Sequence, residues 1–132
     1  MAKGKQTGRR LHVLIVEDNF PAAQSTGWVL EALGYSYALA ATADAAIAAA
    51  EAQVPDAVLL DIGLPDKNGF DVCGEMKALP ALARTVFIAH TGYGDARTQG
   101  LAIEAGFSHF LTKPFELSAL EAILDEIAAR RA

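Results

Sequence analysis

The sequence predicts a three-layer α/β domain: a doubly wound parallel sheet of five strands, order 2-1-3-4-5, with helices on both faces. Three observations carry this expectation. Five short apolar runs alternate with five helical patterns along the chain. Strands joined by helices run parallel, and apolar runs without polar alternation belong to a sheet covered on both faces. The length of 132 residues suits one domain with a full core. Of these residues 27 are Ala, which favours helices packed closely on a flat sheet over a bulky aromatic core.

Each element follows from local chemistry. Residues 1–10, MAKGKQTGRR, mix Gly with like charges and read as a disordered basic lead-in; 11–132 form the domain. LHVLIV, Leu11 to Val16, is too short for a helix and rich in β-branched residues, so it is a buried strand ending at Glu17. Pro21 can open a helix that runs through Trp28, Val29, Leu30 and Leu33 and stops at Gly34, where a helix C-terminus accepts positive φ. A second strand fits Ser36 to Ala41. Thr42 can cap an Ala-rich helix reaching about Gln53, and Pro55 closes that unit. DAVLL, Asp56 to Leu60, reads as a third buried strand with Asp61 directly after it. The loop IGLPDKNG leads to a helix around Phe70 to Leu79, ended by Pro80. TVFIAH, Thr85 to His90, is the fourth strand, followed by Thr91 and a helix from about Asp95 to Ala105 that stops at Gly106. FSHFLT, Phe107 to Thr112, is the fifth strand. Lys113 and Pro114 precede a last helix with Leu117, Leu120, Leu124 and Ile127 on one face.

Composition excludes several classes. The net charge is −5, yet Lys3, Lys5, Arg9 and Arg10 all lie in the lead-in, so from Leu11 onward the net is −9. A body that acidic repels a phosphate backbone, and no nucleic-acid partner is expected. The longest stretches without charge, Asn19 to Leu30 and Ala32 to Ala43, hold 12 residues each, short of the roughly 18 or more that a membrane span requires. No membrane partner and no signal peptide are expected, because the first apolar run begins only at Leu11 and ends in Glu17 and Asp18. A lone Cys73 has no internal disulfide partner and fits a reducing, cytoplasmic setting, where it reads as a buried thiol.

In a doubly wound sheet the ligand site lies beyond the carboxyl ends of the strands, where the winding reverses. That edge carries Glu17 and Asp18 after the first strand, Asp61 after the third, Thr91 after the fourth and Lys113 after the fifth. Three crowded carboxylates repel one another, which should raise at least one pKa in the absence of a counter-ion. An all-oxygen cluster suits Mg²⁺, which keeps several waters and leaves room for phosphoryl oxygens. Asp61, the most central carboxylate, could attack phosphorus, with the Thr91 hydroxyl and the Lys113 ammonium on the phosphoryl oxygens. His12, His90 and His109 lie in or at the ends of strands without metal-ligand spacing and read as structural.

VEDN (Val16 to Asn19), LLDIGLPDKNG (Leu59 to Gly69), AHTG (Ala89 to Gly92) and FLTKPF (Phe110 to Phe115) stand in this order along the chain. With these four blocks the sequence resembles a response-regulator receiver domain, the phosphoacceptor module of two-component signalling, over about Leu11 to Ala129. The resemblance implies a flavodoxin-like sheet order and a protein that is not an enzyme acting on external substrates. It implies that Asp61 is the phosphoacceptor and that Glu17, Asp18, Asp61 and the Gly63 carbonyl hold Mg²⁺, with Asp18 a direct ligand. Thr91 matches the switch hydroxyl, Lys113 the phosphate-sensing lysine and Phe110 the aromatic position that changes rotamer, and a cis peptide is implied at Lys113–Pro114. Phe110 stands where Tyr is frequent, so a phenol hydrogen bond is lost. Gly92 stands where Ala is common, and Gly100 costs its helix about 1 kcal/mol relative to Ala.

The expected role is a stand-alone single-domain regulator that receives a phosphoryl group from a histidine kinase or histidine phosphotransfer protein. It would signal by binding a downstream protein through the face of helix 4, strand 5 and helix 5, or by passing the group onward. Two other classes compete. A flavodoxin-like FMN electron carrier needs a hydroxyl-rich phosphate loop after the first strand, and EDNFP supplies acids instead. A Mg²⁺-dependent phosphatase with an aspartyl nucleophile usually carries a general acid two residues later, and that position is Gly63.

Overall fold

The computed structural model describes residues 10–64, 67–92 and 94–131. The lead-in, apart from Arg10, and positions 65, 66 and 93 of the two site loops therefore lie outside the described residues. Eleven elements follow one another: β1 (His12–Val16), α1 (Phe20–Ala32), β2 (Ser36–Ala40), α2 (Ala43–Ala52), β3 (Ala57–Asp61), α3 (Gly69–Lys77), a 3-10 turn (Pro80–Leu82), β4 (Val86–Thr91), α4 (Ala96–Ala105), β5 (His109–Thr112) and α5 (Leu117–Arg131). The sheet has the order β2-β1-β3-β4-β5, with every described pairing parallel. Its fold class is the one the alternation of apolar and helical runs predicts. No helix among the described residues is long and apolar enough to cross a membrane.

The helix ends show why these segments are helical. Asn19 Oδ1 accepts from Ala22 N–H at 3.0 Å, Thr42 Oγ1 from Ala45 N–H at 3.1 Å and Asp95 Oδ1 from Thr98 N–H at 3.1 Å, each satisfying a donor that the first turn leaves open. Gly34 (φ 93°) and Gly106 (φ 115°) end α1 and α4 in the left-handed region that glycine adopts without a Cβ penalty. The helix α3 stops at Lys77, and Pro80 opens the 3-10 turn instead of ending the helix itself.

Two apolar layers sandwich the sheet. On one face Val16, Val58, Leu60, Phe87 and Ala89 meet α2, α3 and α4, with Ala43, Ala46 and Ala50 presenting a methyl surface that lets α2 sit close. On the other, Val13, Ile15, Leu59, Ile88 and Leu111 meet Ala23 and Leu30 of α1 and Leu120, Leu124 and Ile127 of α5. Each fully buried Leu contributes roughly 1.5 to 3 kcal/mol, so these layers fix the frame on which the strand ends stand. Cys73 lies fully buried in the first layer, and burial pushes its thiol up to about 11.

Strand boundaries depart from the sequence reading at the edge that matters. Asp61 and Thr91 belong to β3 and β4 instead of following them. The ladder continues past both: Ile62 N–H donates to the His90 carbonyl at 3.2 Å, and Lys113 N–H to the Thr91 carbonyl at 2.7 Å. β5 begins at His109, two residues later than expected. Phe107 N–H is spent on the Ala102 carbonyl at the end of α4 and is unavailable to the sheet.

Candidate functional site

The carboxyl ends of β1, β3 and β5 converge on one cluster. Glu17, Asp18 and Asp61 each place a carboxylate oxygen within 4.8 Å of the others. Lys113 reaches in from the β5–α5 loop, its Nζ donating to Glu17 Oε1 at 2.8 Å and to Asp61 Oδ2 at 3.0 Å. The other oxygen of Asp61 accepts from Gly63 N–H at 2.9 Å, and Glu17 Oε2 accepts from Asn19 N–H at 3.1 Å. Glu17 and Asp61 are buried, Asp18 is exposed, and a third of the Lys113 side chain remains accessible. Glu17 and Asp61, 96 and 52 positions from Lys113 along the chain, thus share its ammonium, because the parallel winding of the sheet brings their strand ends to one edge.

The electrostatics follow from burial and pairing. Burial is the largest influence on Glu17 and raises its pKa; the Lys113 and Asn19 hydrogen bonds oppose this and the Asp61 charge adds to it. One carboxylate of the cluster is therefore raised, as crowding predicts, with desolvation a larger cause than repulsion. For Lys113 burial works against the charge, but the hydrogen bonds to Glu17 and Asp61 outweigh it and the pKa rises. An all-oxygen donor set on this scale fits a hard divalent cation such as Mg²⁺, which takes few carboxylates and retains water.

The remaining residues singled out from the sequence are not all in this cluster. Thr91, buried at the end of β4, follows the register partner of Asp61 and lies opposite Thr112, but it does not line the cavity over the carboxylates. Gly63 is exposed beside Asp61, with its N–H turned to the carboxylate. Phe110 is half-buried on the α4 side, packed on the first apolar layer beside a small cavity of about 110 Å³ lined by Gln99, Ala102, Ile103 and Phe107. The peptide Lys113–Pro114 is cis, as the resemblance implies.

One further residue stands beside the cluster. His90, read as a structural histidine, is the register partner of Asp61 and lines the same cavity, which measures about 720 Å³ and also includes Thr26, Pro114 and Phe115. Its ring meets Phe115 edge-on, centroids 5.1 Å apart at 67°. Burial, then the Lys113 charge, lower its pKa to about 4, against a smaller upward pull from Asp61. The available signal was strand parity: in β4, residues 86, 88 and 90 share a face, which the partial burial of Val86 and the full burial of Ile88 mark as the α1/α5 side.

Comparison with known proteins agrees with this geometry. Residues 13–125 match the family model of the response regulator receiver domain. The transcriptional regulatory protein KdpE of Mycobacterium tuberculosis (strain ATCC 25618 / H37Rv) is 34% identical over 89% of this chain and 48% of its own length, so the chain spans about half of that relative. The receiver domain of the sensor histidine kinase PA1611 from Pseudomonas aeruginosa PAO1, solved with a magnesium ion coordinated in its active site cleft, is 30% identical. It superposes with a TM-score of 0.82, covering 92% of this chain and 99% of that one. The CheY-like receiver domain protein of Methanospirillum hungatei JF-1 is 28% identical with a TM-score of 0.82, over 94% and 100% of the two chains. With a family model spanning most of its length and five parallel strands presenting the acidic cluster at one edge, this chain belongs to the response regulator receiver domain family.

Proposed function

We propose that residues 11–132 act as a phosphoacceptor in two-component signalling, preceded by the lead-in 1–10, with Asp61 taking a phosphoryl group from a histidine kinase or histidine phosphotransfer protein. The observation that carries this reading is the single ammonium of Lys113 bridging Glu17 and Asp61 within a cluster of three carboxylates. Glu17, Asp18, Asp61 and the Gly63 carbonyl would hold Mg²⁺, whose bound form supplies positive charge against the incoming phosphoryl oxygens.

This chain's own residues account for the transfer. An Asp61 carboxylate oxygen forms a bond to phosphorus as the phosphorus–nitrogen bond of the donor breaks. The electron pair passes to the donor nitrogen, and the ring leaves as neutral imidazole when its other nitrogen already carries a proton. Lys113, held in reach by Glu17, turns from the Asp61 carboxylate to a phosphoryl oxygen, and the Thr91 hydroxyl meets another. Glu17 keeps the ammonium in place throughout. The chain catalyses only its own phosphorylation and dephosphorylation.

Output follows from the same residues. Movement of Thr91 toward the phosphoryl group would vacate space that the half-buried Phe110 can enter, altering the face of α4, β5 and α5. Ile103 (71% exposed), Leu101 and Leu117 give that face apolar side chains for a protein partner. Passing the phosphoryl group onward is the second route. The buried thiol of Cys73, without a disulfide partner in the chain, supports a cytoplasmic setting.

Acetyl phosphate with Mg²⁺ should add one phosphoryl group to the protein, read by intact mass, and Asp61→Asn should accept none. The same adduct on the Asn variant would refute the assignment.

A further inference from the structure

Resting on that phosphoacceptor reading, we propose that Gln99 and Thr112 are positioning residues that clamp Gly94 between α4 and the end of β5. The clamp holds the segment after Thr91 in its unphosphorylated arrangement. Releasing it lowers the free energy needed to draw Thr91 toward the phosphoryl group.

Gly94 is held from two sides. Gln99 Nε2 donates to the Gly94 carbonyl at 3.0 Å. That carbonyl belongs to the residue before Asp95, the N-cap of α4, so it stands outside the helix's own ladder and the Gln99 amide reaches back five residues to it. On the other side Gly94 lies against β5. A Cβ at this position would sit 2.7 Å from Thr112 Oγ1 and 3.2 Å from Thr112 Cγ2, inside the roughly 3.5 to 4.0 Å at which non-bonded atoms settle. Only glycine lets the backbone come this close. Thr112 is in turn the register partner of Thr91, so the clamp closes on the strand end paired with the switch hydroxyl.

The same amide reaches the other half of the switch. Gln99 borders the cavity of about 110 Å³ beside Phe110, so one side chain contacts both the segment after Thr91 and the space next to the aromatic ring. The Thr91 carbonyl accepts from Lys113 N–H at 2.7 Å, which ties its backbone to the sheet. Displacement of its hydroxyl is therefore taken up by the residues that follow. Gly92 has open space around it, since a Cβ there would meet nothing within 4 Å, whereas Gly94 is pinned. A contact made in one arrangement and lost in the other biases the equilibrium by its own net worth. One neutral hydrogen bond is worth little net in water, which suits a bias that phosphorylation can overcome.

The test titrates beryllofluoride into the full chain with Mg²⁺, with the bound fraction read by fluorine NMR. This mimic selects the phosphorylated arrangement, so its apparent affinity scales with the population of that arrangement. Gln99→Leu keeps bulk beside Phe110 but has no donor, and it should tighten beryllofluoride binding about fivefold, equivalent to about 1 kcal/mol. Affinity for Mg²⁺ alone should not change. Gly94→Ala should tighten binding as well, because its methyl pushes the segment off Thr112. That effect should vanish in a chain that also carries Thr112→Ala, whose remaining Cβ would lie 3.5 Å away, an ordinary contact; its persistence there overturns the clamp. A Gln99→Leu protein that is less stable to urea without binding beryllofluoride more tightly shows a structural role only and overturns the proposal. So does a change of the same size in Mg²⁺ affinity, which would place the effect at the metal. Equal binding by the native chain and Gln99→Leu removes the clamp and leaves the phosphoacceptor reading standing. If the native chain binds no beryllofluoride and gains no phosphoryl group from acetyl phosphate, that reading falls and takes the clamp with it.

Discussion

Replacing His90 by Leu should flatten the acid dependence of stability. The His90 pKa is lowered from an ordinary 6.5 to about 4 in the folded protein, chiefly by burial. As pH falls, the unfolded chain therefore takes up this proton first, and protonation favours unfolding. The contribution that a neutral His90 makes to the folded state is complete above about pH 6.5 and is lost progressively as the pH falls toward about 4. Linkage between those two values gives a loss of roughly 2 kcal/mol between pH 7 and pH 5, approaching about 3 kcal/mol below pH 4. Leu does not titrate and fits an apolar site beside Phe115. Glu17, whose pKa is raised, works in the opposite direction in both proteins and cancels in the difference. Urea unfolding followed by far-UV circular dichroism in EDTA, at pH 7 and pH 5, measures the effect. The stability difference between native protein and variant should move by roughly 2 kcal/mol in favour of His90→Leu at the lower pH. A difference that stays constant across this interval would mean that His90 is not buried neutral, and the reasoning would fail.

Three further outcomes follow from the same structure. Asp18→Ala should weaken Mg²⁺ binding at least about tenfold by calorimetry while leaving metal-free stability unchanged or slightly higher, since one of three crowded carboxylates is gone; unchanged Mg²⁺ affinity would show that the acids do not form the site. Amide exchange with and without a beryllofluoride mimic should change mainly between Thr91 and Leu117, and Thr91→Ala or Lys113→Ala should abolish that change; protection confined to the Asp61 loop would contradict the switch. Leu124, fully buried between α5 and the sheet, should cost about 3 kcal/mol when cut to Ala, read by urea unfolding; a cost below about 1 kcal/mol would place the core elsewhere.

The sequence by itself determined the architecture and the grouping of the acids and the lysine at one edge of the sheet. Apolar runs such as LHVLIV and DAVLL are too short for helices and too apolar for a one-sided sheet, so their alternation with helical patterns leaves parallel winding as the outcome. Parallel winding puts every strand's carboxyl end on one edge, and so Glu17, Asp18, Asp61 and Lys113 could be grouped before any distance was known. Helix limits were legible at Thr42, Gly34 and Gly106 because capping is a local matter. Tertiary structure decided what depends on which group faces which. The lysine ammonium chooses Glu17 and Asp61 among three acids, a choice set by the path of the β5–α5 loop. Asp61 and Thr91 join their strands because partners on neighbouring strands complete the ladder. His90 becomes part of the site through its register with Asp61 and its contact with Phe115, 25 residues along the chain. Register and loop path are fixed by packing between distant segments, and a single sequence carries that information only through the folded chain.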